Sequence, residues 1–151
     1  MKLKPGDKAP LFEGKDQNGS IIKLSEYKGS KIILYFYPKD DTSGCTAEAC
    51  NLRDYNKEFK KEGYVILGIS SDTEKSHTNF IKKYTLPFAL IADTNQKIQK
   101  AYGVWVEKSM FGKKFMGTAR ITFVIDEKGI ITTIINKVNT KQHAQQLLHK
   151  E

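Results

Sequence analysis

Two apolar runs of strand length, at residues 31–37 and 65–70, constrain the fold of this chain more than any other feature. Runs that are apolar at nearly every position occur in strands whose two faces are both covered, usually by helices. A helical pattern follows each run, at residues 44–61 and at residues 73–84. Strands therefore alternate with helices, which predicts an α/β fold with a central mixed β-sheet flanked by helices.

The rest of the pattern completes this layout. An Asn18-Gly19 turn inside residues 11–24 predicts an N-terminal β-hairpin. The other predicted elements are a strand at 88–91, a short helix at 96–102, an aromatic-rich loop at 103–117, strands at 121–126 and 130–136, and a closing helix at 140–149. No repeat or linker interrupts the 151 residues, so we expect one domain over residues 1–151.

The charge pattern excludes some classes of partner. The chain carries 25 basic and 17 acidic residues, a formal net charge of +8. The lysines are scattered singly or in pairs, which favours a solvated surface over nucleic-acid binding.

The start has no secretory signal, and no apolar run is long enough to cross a membrane. We therefore expect a protein of the reducing cytoplasm that binds no membrane.

The cysteine and histidine usage narrows the chemistry. In a reducing compartment, two cysteines are more often reactive or metal-binding than a permanent structural disulfide. The three histidines, His77, His143 and His149, have no spacing that would complete a zinc site. We therefore expect no metal site, and we interpret the histidines as surface residues on helices.

On a helical wheel of residues 44–61, the two cysteines fall on different sides of the predicted helix. Ala49 and Leu52 lie within about 40° of Cys45, so that side is expected to face the sheet. Cys50 lies about 140° away, among charged residues on the wet side. Because a cysteine without a function is usually buried, this position favours a functional role for Cys50.

Cys45 is placed in the first turn of its helix, directly after a strand and a loop. Free backbone N–H groups and the helix dipole favour a thiolate there. The alternative is that Cys45 is only a small core residue. Five helical positions separate Cys45 and Cys50 by about 7.5 Å of rise, beyond the roughly 7 Å limit for a relaxed disulfide. A bond between them would therefore form during a reaction cycle, with local unwinding of the helix.

Four segments resemble one known family. Residues 36–50, with the sequence FYPKDDTSGCTAEAC, strongly resemble the active-site segment of peroxiredoxins, in particular the bacterioferritin comigratory protein or peroxiredoxin Q group. Residues 102–117, 120–126 and 6–10 are also similar to that group. The likeness thus runs over nearly the whole chain, with the segments in matching order, which makes it far more specific than a single short motif.

The resemblance implies a thioredoxin-like fold and a peroxidase that reduces hydrogen peroxide and organic hydroperoxides without metal, haem or flavin. It implies that Cys45 is the peroxidatic cysteine and Cys50 the resolving cysteine, which join in a redox-active disulfide. Thr42 and Arg120 would complete the site, with Pro38 shielding it. A thioredoxin or similar dithiol would act as the reductant, and a monomer is the family's default state.

The chain departs from the family pattern at two positions. Ser43 stands where the family commonly has proline, and Ile121 stands where it commonly has a small polar residue after the arginine. Neither residue replaces a reacting group. Ser43 is expected to loosen the active-site loop.

Arg120 holds a fixed positive charge that would favour a thiolate and stabilise the leaving oxygen, while the Thr42 hydroxyl would bind peroxide oxygen. Two sets of residues near these positions each have two possible roles. The acidic residues either pair with Arg120 or belong to a solvated loop; they are Asp40, Asp41 and Glu48. The apolar residues either pack or form a docking rim; they are Trp105, Met110, Phe111 and Phe115.

Two other functions compete with a peroxidase. A thiol–disulfide exchanger would use a Cys-x-x-Cys pair, whereas four residues separate Cys45 from Cys50. A nucleic-acid-binding module would need clustered basic or stacking residues, which the chain lacks.

Overall fold

The computed structural model describes residues 2–148. The strands are β1 Glu13–Asp16, β2 Ile21–Lys23, β3 Lys31–Phe36, β4 Tyr64–Ser70, β5 Ala89–Ala92, β6 Trp105–Met110, β7 Lys113–Thr118, β8 Ile121–Ile125 and β9 Ile131–Ile135. The helices are α1 Ser43–Asp54, α2 Asn56–Lys61, α3 Glu74–Tyr84, α4 Lys97–Ala101 and α5 His143–Leu148, with a 3₁₀ turn at Leu24–Tyr27.

Seven of these strands form a mixed sheet in the order β2-β1-β5-β4-β3-β8-β9. The three middle strands β3, β4 and β5 run parallel, and the flanking pairs are antiparallel. The N-terminal hairpin, β1 and β2, forms one edge of the sheet. This architecture confirms the predicted mixed sheet flanked by helices.

The inner strand β3 is apolar at nearly every position because both of its faces are covered. Ile32, Leu34 and Phe36 belong to one apolar cluster, and Ile33 and Tyr35 belong to the other. All five side chains are at most 2% exposed. Strand β3 therefore joins the two halves of the core, as its sequence predicted.

The helices divide between the two faces of the sheet. Helices α1, α2, α3 and α5 cover the face that carries Tyr35, through Leu52, Phe59, Phe80 and Ala144. The other face is covered by α4, the N-terminal segment and the chain that follows α4. Within residues 2–148, no helix is long and apolar enough to cross a membrane.

The continuous helix predicted at residues 44–61 is wrong, because the helix breaks at Tyr55. The backbone of Tyr55 has φ −107° and ψ 11°, and its N–H bonds to the carbonyl oxygen of Leu52, one residue short of an α-helical partner. Asp54 and Asn56 flank the break, and both residue types have low helix propensity. The break leaves Phe59 1% exposed in the same cluster as Leu52.

The loop predicted at residues 103–117 is also wrong. Strands β6 and β7 form a separate antiparallel hairpin there. Its turn residues Phe111 and Gly112 have φ +53° and +79°, the left-handed values of a type I′ turn. Met110, Phe111 and Phe115 are 58%, 98% and 44% exposed, so these three do not pack in the core. Trp105 is half-buried.

The histidine prediction is wrong for both histidines within the described residues. His77 on α3 and His143 on α5 are fully buried. The Nδ1 atom of His77 lies 2.7 Å from Asp40 Oδ2, and its Nε2 lies 3.0 Å from the carbonyl oxygen of Ile91. Buried imidazoles need such partners, and sequence spacing does not reveal them. His149, together with the predicted end of the closing helix, lies outside the described residues.

The start of α1 provides a test of the Ser43 departure. Ser43 is the exposed first residue of α1, and Thr42 before it has φ −94° and ψ 160°, which a following proline requires. Since the first helical N–H has no intrahelical acceptor, Ser43→Pro should stabilise the protein by about 0.4–1 kcal/mol. Denaturant midpoints of Ser43→Pro and a Ser43→Ala control test this; a lower midpoint for the proline variant would refute the fit.

Candidate active site

Cys45 and Arg120 are brought together by two neighbouring strands. Strand β3 ends at Phe36, and a loop leads from it to α1, so Cys45 lies above this end of the sheet. Strand β8 is antiparallel to β3 and pairs Ile121 with Phe36. Arg120, directly before Ile121, is therefore at the same end of the sheet as the first turn of α1.

The two side chains are in contact. Arg120 Nη1 donates to Cys45 Sγ at 3.4 Å. Cys45 is 1% exposed and packs with Ala49 and Leu52, as the helical wheel predicted. The guanidinium of Arg120 is the polar boundary of this apolar pocket, with its side chain 23% exposed. A thiolate at this position would have a fixed cation beside it and the backbone donors of the helix start around it.

Gly44 makes this close approach possible. A Cβ atom at position 44 would lie 3.1 Å from Arg120 Nη2, closer than side chains normally pack. Glycine therefore leaves room for the guanidinium at the helix start. The sequence interpretation missed this role, although a glycine directly before a helix-start cysteine is a usable signal.

Glu48, one turn after Cys45, is the carboxylate that pairs with Arg120. It is fully buried, and its Oε1 accepts from Arg120 Nη1 at 2.8 Å. Burial raises the pKa of Glu48 to about 7, although the charge and the hydrogen bond of Arg120 act in the opposite direction. One guanidinium nitrogen thus serves both the thiol and the carboxylate.

The other two acidic candidates lie elsewhere. Asp40 is buried, and its carboxylate accepts from the hydroxyl groups of Tyr37 and Ser76 at 2.5 and 2.8 Å, beside His77. Its backbone N–H donates to Asp72 at 2.8 Å. Asp40, Asp72 and His77 have potential ligand atoms within 4.8 Å of one another, but these atoms already bond to protein groups.

Asp41 lies on the surface, outside the Cys45 pocket. Its carboxylate accepts from Lys83 Nζ at 2.8 Å and from Tyr84 Oη at 2.9 Å. The solvated-loop interpretation therefore describes Asp41, whereas Asp40 anchors the loop and Glu48 pairs with Arg120.

Thr42 and Pro38 belong to the loop between β3 and α1. Thr42 is the residue before the first helical position and is exposed. Its hydroxyl donates to the carbonyl oxygen of Lys39 at 2.9 Å, and its own carbonyl accepts from the N–H of Thr46 at 2.8 Å. Pro38 is half-buried and follows the buried Tyr37. Thr42 therefore borders the start of α1, and Pro38 lies at the beginning of the same loop.

Cys50 is half-buried on α1, and both cysteines are free thiols. They belong to the same helix, Ser43–Asp54, so their Cα atoms are separated by about 7.5 Å of rise. A bond between them would require the helix to open.

Two buried residues near Glu48 were missed from the sequence. His143 Nε2 lies 3.6 Å from Glu48 Oε2, and Thr122 Oγ1 on β8 lies 2.7 Å from the same ring nitrogen. Burial lowers the pKa of His143, the hydrogen bond with Gln146 raises it, and the charge of Arg120 lowers it further. No spacing in the sequence links position 143 to position 48, because only the packing of α5 on α1 brings them together.

Comparisons with known proteins show the family of this chain. The AhpC/TSA family matches residues 5–134. Peroxiredoxin Bcp of Bacillus subtilis is 45% identical over 148 residues, covering 98% of this chain and 94% of that protein. Peroxiredoxin Bcp of Escherichia coli is 41% identical over 147 residues, covering 97% and 94%.

Solved structures give the same result for the fold. A mutant of Xylella fastidiosa PrxQ superposes with a TM-score of 0.92 at 29% identity, covering 98% of this chain and 94% of that one. The Xanthomonas campestris bacterioferritin comigratory protein, studied for its alkyl peroxide reduction activity, gives 0.86 at 35% identity, covering 91% and 87%. These neighbours confirm the thioredoxin-like fold, and the chain belongs to the AhpC/TSA family, within its peroxiredoxin Bcp and peroxiredoxin Q group.

Proposed function

We propose that this protein reduces hydrogen peroxide and organic hydroperoxides with Cys45 as the attacking thiolate. The observation that carries this proposal is the 3.4 Å contact between Arg120 Nη1 and the buried Cys45 Sγ at the start of α1. Relatives named peroxiredoxin at 41–45% identity support the same reaction class.

In the first step, the Cys45 thiolate attacks one peroxide oxygen. A sulfur–oxygen bond forms and the oxygen–oxygen bond breaks. The attacked oxygen stays on sulfur with its proton, and the leaving oxygen takes up the proton that the Cys45 thiol lost on ionising and departs as water or an alcohol. Sulfur loses two electrons, which the peroxide gains, and Cys45 becomes a sulfenic acid. Arg120 and the backbone N–H groups of the helix start stabilise the developing negative charge, while Thr42 binds peroxide oxygen at the loop.

In the second step, the Cys50 thiol attacks the sulfenic sulfur. A disulfide forms between Cys45 and Cys50, and water leaves. A dithiol of the thioredoxin type then reduces the disulfide and restores both thiols. Pro38 shields the pocket during the first step. A monomer acting in a reducing cytoplasm remains our expectation.

The two cysteines should differ sharply when replaced. Cys45→Ser should abolish peroxide consumption, because it removes the only thiol that contacts Arg120 in the described part of the chain. Cys50→Ser should consume one equivalent of peroxide and stop at the Cys45 sulfenic acid, unless a small thiol reduces it. Stopped-flow peroxide consumption and intact mass measure both outcomes. Normal turnover by Cys45→Ser would show that the roles are wrongly assigned.

Arg120 should contribute through both its charge and its shape. Arg120→Met removes the donor shared by Cys45 and Glu48, and loss of one such preorganised donor typically costs about 10²–10³ in rate. Arg120→Lys keeps the positive charge but loses the planar guanidinium with its several N–H donors. Its activity should therefore lie between those of Arg120→Met and wild type. The measurement is the second-order rate with peroxide. Arg53→Met is the control, because this α1 arginine bonds to the Tyr84 carbonyl oxygen and to Asp54 rather than to Cys45. Rates for Arg120→Met equal to wild type would contradict the assignment.

Disulfide formation should open the start of α1. The intact helix holds the two sulfur atoms too far apart, so residues 45–50 must leave the helical conformation. Amides of about residues 45–55 should lose hydrogen-exchange protection only after peroxide treatment, whereas amides of α3 should keep theirs. Equal protection of α1 in both states, with the disulfide verified by mass, would show that the helix does not open.

A further inference from the structure

A buried polar chain runs from the last helix to Cys45. His143 Nε2 on α5 lies 3.6 Å from Glu48 Oε2, Glu48 Oε1 accepts from Arg120 Nη1 at 2.8 Å, and the same nitrogen lies 3.4 Å from Cys45 Sγ. Glu48 and His143 are both 0% exposed. The Oε2 atom of Glu48 has no hydrogen-bond partner among the described residues.

The hydrogen bonds of Gln146 determine where His143 carries a proton. Gln146 Nε2 donates to the carbonyl oxygen of Lys137 at 3.1 Å, and Gln146 Oε1 accepts from the N–H of Asn139 at 3.0 Å. Gln146 Oε1 is therefore an acceptor, and His143 Nδ1, 2.8 Å from it, is the donor. In a neutral ring, His143 Nε2 is then an acceptor and receives the Thr122 hydroxyl hydrogen at 2.7 Å.

A second arrangement needs only one more proton and the rotation of one hydroxyl. If Nε2 becomes protonated, the Thr122 hydroxyl turns from donor to acceptor of the new N–H, and the positive charge of the imidazolium lies 3.6 Å from the unpartnered Glu48 Oε2. An uncompensated carboxylate oxygen is costly when buried. The packing thus provides two neighbouring places for one proton, on Glu48 or on His143.

We propose that Glu48 and His143 hold one proton between them, and that this shared proton controls how strongly Arg120 supports the Cys45 thiolate. His143 is then a positioning residue that acts through Glu48 and Arg120. The inference rests on the proposed function, since Cys45 is taken as the reacting thiol.

The position of α5 is fixed for this role. Asn51 lies one turn after Glu48 on α1, and its Oδ1 accepts from the N–H of Ala144 at 2.6 Å. Asn51 Nδ2 also donates to Gln145 Oε1 at 3.2 Å. Helix α1 therefore holds both the carboxylate and the imidazole in place.

The charged and titratable groups around the pair come from several elements. Arg120, before β8, acts on both Glu48 and His143, and Tyr35 of β3 interacts with Glu48. Cys45 of α1 and Lys108 of β6 interact with Arg120. Burial raises the pKa of Glu48 to about 7 and lowers the pKa of His143, so burial moves the proton of the pair from His143 toward Glu48.

The sign of the coupling follows from charge. Below about pH 7 the pair keeps its proton and is neutral overall, so the charge of Arg120 is available to Cys45. As the pH rises through this value, the pair loses the proton and leaves one negative charge beside Arg120, which disfavours a thiolate. By reciprocity, a thiolate at Cys45 favours proton retention by the pair. Alkylation of Cys45 should therefore follow a broader pH profile than a single ionisation.

Two substitutions should move the midpoint of that profile in opposite directions. Glu48→Gln keeps an oxygen acceptor for Arg120 but removes the negative charge, so the midpoint should fall. His143→Gln removes one of the two proton sites and leaves Glu48 ionised more often, so the midpoint should rise. The Glu48 carboxylate and the Cys45 sulfur lie 2.8 and 3.4 Å from Arg120 Nη1. At separations up to about 6 Å, shifts of roughly one pH unit are expected.

The measurement is the rate of iodoacetamide alkylation of Cys45 from pH 4.5 to 9, in a Cys50→Ser background. His77→Gln is the matched control, because His77 is an equally buried histidine beside a carboxylate without contact to Arg120. If the two residues had a purely structural role, Glu48→Gln and His143→Gln would shift the midpoint of the alkylation profile in the same direction. That result would overturn the proposal. An equal shift in His77→Gln would overturn it as well.

Nuclear magnetic resonance of the unmodified reduced protein gives a test that needs no peroxide. The Glu48 carboxyl ¹³C and His143 imidazole ¹⁵N signals should titrate with one common midpoint, and that midpoint should fall by roughly one pH unit in Cys45→Ser. Signals that do not move between pH 5 and 9, or an unchanged midpoint in Cys45→Ser, would refute the shared proton. If Cys45→Ser nevertheless abolishes peroxide consumption, the proposed function stands without it.

Discussion

A single guanidinium, that of Arg120, links the thiol of Cys45 to a buried carboxylate. Its Nη1 atom contacts both Cys45 and Glu48, which lie one turn apart on α1. The contact exists because β8 is antiparallel to β3 and presents Arg120 at the strand end where α1 begins. Gly44 favours the contact, since a Cβ atom at that position would lie 3.1 Å from Arg120 Nη2 and would press on the guanidinium.

The same interaction explains how α1 can be both ordered and able to open. Gly44, Thr46 and Asn51 are poor helix formers, so the order of this segment depends on tertiary contacts rather than on propensity. Glu48 lies between the two cysteines, so any conformation that joins Cys45 to Cys50 must move it relative to Arg120. Breaking a buried ion pair is costly. Reduction of the disulfide would restore the pair, which favours the closed helix in the reduced protein.

The sequence predicted the parts of the molecule that follow from periodicity. Strand β3 was recognisable because both of its faces are buried, and the inward side of Cys45 followed from the helical wheel. The break at Tyr55 was not recognisable, because the apolar spacing continues through it to Phe59. The β6–β7 hairpin was missed because its exposed apolar residues, such as Phe111, do not alternate with polar ones. The burial of His143 depends on contacts between α5 and α1, which no local pattern records.

Residues 2–148 contain two buried pairs of a carboxylate and an imidazole, and their difference is informative. Asp40 receives hydrogen bonds from Tyr37 and Ser76 in addition to its contact with His77, so both of its oxygens are occupied. Such a fully bonded cluster has one stable arrangement and anchors the loop before α1. Glu48 differs, because one of its oxygens faces His143 at 3.6 Å without a hydrogen bond. The carboxylate oxygen without a hydrogen bond belongs to the pair that contacts Arg120. A change of protonation in this pair can therefore affect the Cys45 thiol while the loop before α1 stays fixed.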